Sequence, residues 1–335
     1  MKNLNMSVFS FMLVTSTLMS ISAISWFTAW LGLEINLICL MPLMKNTKNK
    51  YSSEATIKYF IVQAISSMIL LFSILVFMNT PSFSMNPAFW SSILINLALL
   101  MKMGAAPLHF WFPEVISGLN WNLSLIIMTW QKIAPMILMG FSSQPPLLMN
   151  MFIIASATVG SIMGLNQTCL RKILAYSSIN HISWMLAAML NSLLIWLLYF
   201  MIYVIINISI ISMLKSYNIY FMNQISSMFS FNSNMKMIFC LNMLSLGGLP
   251  PFLGFYPKWI TINSLSLSGF NYTATLMILF SLIALFLYLR LVYPFITLNS
   301  SEHYKLFWPQ TNFIVISSTL SILGMPCMML LTNLL

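Results

Sequence analysis

Eleven times along its 335 residues the chain runs on for the ~20 mostly apolar residues that a helix needs to cross a bilayer. The runs fall near 4–23, 25–44, 55–78, 88–107, 121–141, 147–165, 170–190, 194–214, 236–266 (long and interrupted), 272–292 and 312–332. Their length selects helices, because membrane strands are much shorter and hydrocarbon leaves no water to satisfy an open sheet edge. Only 5% of the residues are charged, against roughly 25% in a soluble domain. A water-facing surface cannot be built from that, so a soluble enzyme is excluded. The expected fold class is an all-α polytopic membrane protein. The first run has no small-residue cleavage site after it and reads as a retained span rather than a signal peptide.

The charges that do occur are sorted. Lys2, Lys45, Lys48, Lys50, Arg171, Lys172, Lys215, Lys236, Arg290 and Lys305 lie at the N-terminus or in every second loop, and the intervening loops carry none. Basic loops stay on the side from which the chain inserts. This segregation predicts the N-terminus on the positive side and the C-terminus on the other.

Four lysines escape this sorting. Lys58 lies near the positive end of the third run, within snorkelling reach of the interface. Lys102, Lys132 and Lys258 sit deeper, with Glu34 roughly 15 Å into the second run at 1.5 Å per residue. A charge at mid-bilayer costs about 2.5–3.5 kcal/mol on insertion scales, so such groups are expected to face the interior and to carry ions or protons. A Glu–Lys pair that merely holds helices together is the structural alternative. Lysine suits proton transfer: burial disfavours its charged form, a nearby carboxylate restores it, and arginine never gives up its proton.

Each deep lysine has a helix breaker beside it. Lys102 precedes Gly104 and Pro107, and Lys132 precedes Pro135. Lys258 is the penultimate residue of the stretch SLGGLPPFLGFYPKW, with Gly247, Gly248, Pro250 and Pro251. Proline removes the hydrogen bond that the carbonyl four residues earlier would accept. Gly104, Pro107 and Pro113 are followed by Glu114, and Gly248, Pro251 and Pro257 by Lys258, at identical spacing. This reads as an internal repeat, five spans apart and therefore inverted, with broken helices in spans 4 and 9. Interrupted spans at matching places in two halves point to a transport pathway. The halves are expected at 1–141 and 147–292, within a single membrane domain completed by a loop and C-terminal helix at 293–335.

Three histidines complete the titratable set. His181 shares its span with Ser177, Ser178 and Asn180, as a proton relay or as hydrogen-bonded glue. His109 follows the first break and is placed to link the path to the positive side. His303 falls in a loop. Cys39, Cys169, Cys240 and Cys327 form no C-x-x-C pair and read as packing residues. No metal motif and no dinucleotide or Walker fingerprint occurs, so no cofactor is expected on this chain. No feature points to nucleic acid.

The stretches LGLEINL, EATIKYF, LMKMGAAPLHFWFPEV, MTWQKIAP, LNQTCLRKILAYSSINHISWM and LSLGGLPPFLGFYPKW resemble, in order and spacing, the mitochondrial NADH dehydrogenase subunit 2 family. These are antiporter-like membrane subunits of respiratory complex I, and the length and methionine-rich composition are similar to invertebrate, insect-type members. The resemblance implies eleven helices in two inverted five-helix repeats plus a C-terminal helix, with the N-terminus in the matrix and the C-terminus in the intermembrane space. It implies a proton-relay axis of Glu34 with Lys102, then Lys132 and Lys258, with His181 at the family's polar position. NADH, FMN, iron–sulfur clusters and ubiquinone are implied in other subunits. Expected partners are neighbouring antiporter-like and small membrane subunits, accessory subunits and phospholipids such as cardiolipin. A stand-alone cation/proton antiporter and a non-pumping scaffold are the rival readings.

Overall fold

The computed structural model describes residues 2–45, 49–79, 85–228 and 233–297, with Thr319 and Gly324 besides. The expected span at 312–332 therefore lies outside the described residues save for those two positions, as do His303, Lys305 and Cys327. Helices account for the architecture. Among the described residues the extended pairing is one isolated bridge, Cys169 with Phe221. Among the described residues seven helices are long and apolar enough to cross a membrane, and three further apolar helices, Met6–Ile21, Trp90–Met103 and Met235–Gly247, are shorter.

The chain forms two compact units, Met1–Phe152 and Ile153–Leu335. The first contains α1 (Lys2–Ile21), α2 (Trp26–Met44), α3 (Lys50–Asn79), α4 (Met85–Met103), α5 (Trp111–Gly118), α6 (Trp121–Met128) and α7 (Trp130–Phe141). Here α1 packs on α2, and α3 packs on α2, α4 and α5, while α7 packs on α4 and α1. Helix α8 (Pro146–Leu165) leads into the second unit. There follow α9 (Leu170–Asn191), α10 (Leu193–Ser216), α11 (Met222–Met228), α12 (Ser233–Gly247), α13 (Phe255–Leu267) and α14 (Asn271–Thr297). Helix α9 is the hub of this unit, touching α10, α13 and α14. Its buried Ser177, Ser178 and Ser183 hydroxyls bond back to carbonyls of the same helix, and His181 Nδ1 meets the Tyr199 hydroxyl.

Lipid supplies no hydrophobic drive between helices, so close approach depends on small residues. In the first unit Gly32 of α2 lies against Ser16 and Ser20 of α1, where an added Cβ would meet the Ser20 nitrogen at 2.9 Å. In the second, Gly160 of α8 lies against Tyr176 and Asn180 of α9, with the Asn180 nitrogen 2.7 Å from a Cβ. Helix starts recur at a constant offset of 144 residues: Lys2 and Pro146, Trp26 and Leu170, Trp111 and Phe255. Gly160 occupies the place of Ser16 on that offset, and Tyr176 that of Gly32. The small residue has changed helix while the contact has kept its register.

Both interrupted helices end in the same way. Gly104 and Gly248 have φ of +75° and +78°, a region open to glycine and costly for other residues. Gly104 N–H donates to Met101 O and Ala105 N–H to Leu100 O; Gly248 N–H donates to Ser245 O and Leu249 N–H to Leu244 O. These are two Schellman caps. The helix resumes at Trp111 in one unit and at Phe255 in the other.

The break expected at Pro135 is corrected. Pro135 lies inside α7, and the interruption falls at Thr129, between α6 and α7. The Thr129 hydroxyl donates to Leu125 O at 2.7 Å, and such back-bonding competes with the helical ladder and bends it. Lys132 therefore sits in the first turn of a new helix.

Candidate functional site

Within the first unit, α4 carries Lys102 in its last turn, where a cation complements the negative end of the helix. Lys102 is 7% exposed and Lys132 1%, so neither points into lipid. The carbonyls freed by the α4 cap are taken up by side chains. Gln63 of α3 donates Nε2–H to Lys102 O at 3.1 Å, and Trp111 of α5 donates Nε1–H to Met101 O at 3.2 Å. Glu34 of α2 is half-buried and acts electrostatically on the Lys102 ammonium. The two are not in direct contact: among the described residues the ion pair within 4.0 Å joins Lys58 and Glu114 instead.

Lys132 places its ammonium 5.6 Å from the centroid of the Phe112 ring, within cation–π range. Phe112 packs against Gly104, where a Cβ would come within 3.1 Å of the Phe112 Cβ. The first break thus builds the aromatic wall on which Lys132 rests. One residue earlier, Gln131 exchanges two hydrogen bonds with Asn36 of α2. Asn36 Nδ2–H donates to Gln131 Oε1 at 3.1 Å and Gln131 Nε2–H donates to Asn36 Oδ1 at 2.9 Å.

His109 is buried, with Nδ1 3.2 Å from Pro107 O and its ring 4.4 Å from that of Phe110. Lys58 and Glu114 lie 2.5 Å apart with both side chains half-exposed. Sequence reasoning singled out both residues and missed their pairing, since 56 positions separate them.

In the second unit, Lys258 is 6% exposed. Its ammonium donates to Gly247 O at 2.8 Å and lies 5.7 Å from the Trp184 ring. Gly248 is the residue that admits it: a Cβ there would stand 2.9 Å from both Cδ and Nζ of Lys258. His181 is buried on α9, with Nδ1 2.9 Å from the Tyr199 hydroxyl and its ring 5.1 Å from that of Tyr203. The Tyr203 phenol bonds with Ser178. Tyr199, Tyr203 and Asn207 are buried at successive i, i+4 positions, one face of α10. That Y-x-x-x-Y-x-x-x-N stripe was readable as a polar face and went unread.

Among the described residues no group of three His, Cys, Asp or Glu side chains is placed to hold a metal ion. Cys39, Cys169 and Cys240 are free thiols.

Helices that stop at a left-handed glycine and restart, with buried lysines beside the stops, define a polytopic membrane protein of the ion-translocating kind. The transmembrane family described as NADH:quinone oxidoreductase/Mrp antiporter, TM, matches residues 23–287. The NADH-ubiquinone oxidoreductase chain 2 of Anopheles gambiae is 46% identical over 309 residues, spanning 90% of this chain and 89% of its own length. That of Aedes aegypti is 43% identical over 308 residues, again 90% and 89%. A chain of the respiratory complex I from Thermus thermophilus, solved with bound aureothin, has the same fold. It superposes with a TM-score of 0.84 over 95% of this chain and 77% of that one, at 21% identity. This chain belongs to the NADH-ubiquinone oxidoreductase chain 2 family.

Proposed function

We propose that this chain is a core membrane subunit of the proton-pumping NADH:ubiquinone oxidoreductase of the mitochondrial inner membrane, and that its buried Glu and Lys side chains relay protons. The observation that carries the reading is the burial of Lys102, Lys132 and Lys258 beside helix interruptions. Electron transfer from NADH to ubiquinone belongs to other subunits, which hold the FMN and iron–sulfur clusters. This chain supplies charge movement. In the first unit a change in the field separates the Glu34 and Lys102 charges, and Lys102 releases its proton toward Lys132. In the second, Lys258 passes a proton onward, with His181 as a further relay.

The arrangement extends to eleven spans in two inverted repeats, 1–141 and 147–292, with the N-terminus in the matrix and the C-terminus in the intermembrane space. The 144-residue recurrence of helix starts and the paired Schellman caps support the repeat. The loop charge bias supports the orientation. Partners are neighbouring antiporter-like and small membrane subunits, accessory subunits, and anionic phospholipids such as cardiolipin around the basic loops.

The family description also names Mrp antiporters, which keeps a stand-alone cation/proton antiporter as the second reading. A scaffold would tolerate neutral substitution of the deep lysines. The experiment is Lys132→Met in the assembled enzyme, reconstituted into vesicles, with protons moved per electron measured beside NADH oxidation. The relay predicts a fall in that ratio. An unchanged ratio at unchanged turnover removes the relay, and cation-driven proton exchange by the isolated chain favours the antiporter.

A further inference from the structure

Glu34 and Lys132 belong to different helices, and nothing in the relay by itself explains how the position of one is communicated to the other. The Asn36–Gln131 pair joins those helices beside both residues. Its two amides exchange both donors and both acceptors, at 3.1 and 2.9 Å. Asn36 is 4% exposed. Gln131 is half-buried, but the buried Asn36 amide cannot exchange its partner for water, so breaking the pair leaves Asn36 unpaired.

The placement of the pair matters more than its strength. On α2, Asn36 follows Glu34 by two residues, about 200° around a helix of 3.6 residues per turn. Helix α2 therefore directs Glu34 to one side, where it acts on Lys102, and Asn36 to the other, where it grips α7. On α7, Gln131 directly precedes Lys132 and follows the Thr129 interruption by two residues. The backbone there is weakly tied along itself. Lys132 N–H reaches only three residues back, to Thr129 O at 3.2 Å, and Pro135 removes the bond that Gln131 O would accept. The side-chain amide of Gln131 is thus one anchor of the turn that carries Lys132.

We propose that the Asn36–Gln131 amide pair is a positioning clasp that transmits movement of α2, and with it Glu34, to Lys132. Asn36 and Gln131 are positioning residues, not proton carriers. The proposal rests on the relay reading above and adds the mechanical link within the first unit. Rotation or translation of α2 that draws Glu34 away from Lys102 pulls on the Lys132 turn through two hydrogen bonds, so the two sites move together.

The test uses the assembled complex in vesicles, normalised to assembled enzyme, and reads protons moved per electron. The variants are Gln131→Met, the doubly apolar Asn36→Leu/Gln131→Leu, and the exchange Asn36→Gln/Gln131→Asn. Replacing both partners of a buried bond by apolar groups is close to neutral for stability, so a purely structural clasp predicts a double-leucine enzyme that assembles and pumps normally. The positioning role predicts an enzyme that assembles while its ratio falls, by as much as Lys132→Met lowers it. The exchange variant, which keeps the reciprocal pair, recovers most of the ratio. An unchanged ratio in whichever apolar variant assembles, or an exchange variant no better than Gln131→Met, overturns the clasp. Lys132→Met run in parallel separates the two levels. If it lowers the ratio while the clasp variants pump normally, the clasp alone falls; if it pumps normally, the relay reading falls.

Discussion

Lys258 closes the break that precedes it: its ammonium donates a 2.8 Å hydrogen bond to the carbonyl of Gly247, the last residue of α12, eleven positions earlier. The carbonyl is available because the helix has ended, and the lysine reaches it because the next residue, Gly248, has no side chain. Gly248→Ala adds a Cβ 2.9 Å from Cδ and Nζ of Lys258 and forces an L residue to φ +78°. The backbone cost is about 1–2 kcal/mol. The clash falls on the flexible end of the lysine, which gives way. The expected outcome is an enzyme that still assembles, at reduced yield, with Lys258 displaced from Gly247 and fewer protons moved per electron. Normal pumping by this variant would mean that the Lys258–Gly247 contact is idle.

Tyr199→Phe removes the phenol that meets His181 Nδ1 at 2.9 Å and leaves the ring packing in place. Leaving a buried partner unsatisfied costs about 1–3 kcal/mol. If His181 relays protons through this contact, the assembled variant pumps less per electron. If the contact is hydrogen-bonded glue, the variant loses thermal stability and keeps its ratio. A melting curve taken beside the pumping assay separates these outcomes.

What could be read from residues alone follows from how each feature is encoded. The breaks at Gly104 and Gly248 were legible because glycine and proline punctuate a helix locally, and because the same spacing occurs twice. The burial of Lys102, Lys132 and Lys258 was legible because a charge in an apolar run has nowhere inexpensive to go but inward. The interruption at Thr129 was not, since a threonine bends a helix only when its hydroxyl turns back onto the ladder, as here onto Leu125 O. The pairs Lys58–Glu114 and Asn36–Gln131 were hidden for another reason. They join positions 56 and 95 residues apart, and only tertiary packing brings them together.

The Lys58–Glu114 pair makes a prediction that depends on both partners. The two half-exposed side chains neutralise each other at 2.5 Å. Lys58→Met leaves the half-exposed Glu114 carboxylate without its counter-ion, and the level of assembled complex is expected to fall. Lys58→Met combined with Glu114→Gln removes both charges and is expected to restore assembly toward that of the parent. Quantifying assembled complex on native gels checks this, and a double variant no better than the single one would show that the pairing is incidental.

Gly160→Ala tests whether α8 and α9 depend on backbone contact. The added Cβ would stand 2.7 Å from the Asn180 nitrogen and 2.9 Å from the Tyr176 oxygen. Neither can swing aside as a lysine tail can, so the helices themselves must part. Overpacking of this kind costs about 1–3 kcal/mol, and the α9 hub carries the strain toward His181 and Trp184. Gly269→Ala is the matching control: φ there is +83°, with nothing within 4 Å of the new Cβ. It pays the backbone strain alone. A Gly160→Ala complex that melts below the Gly269→Ala complex and moves fewer protons per electron ties the α8–α9 spacing to the site. A Gly160→Ala complex that melts with the parent would mean that the helices yield at that contact without cost.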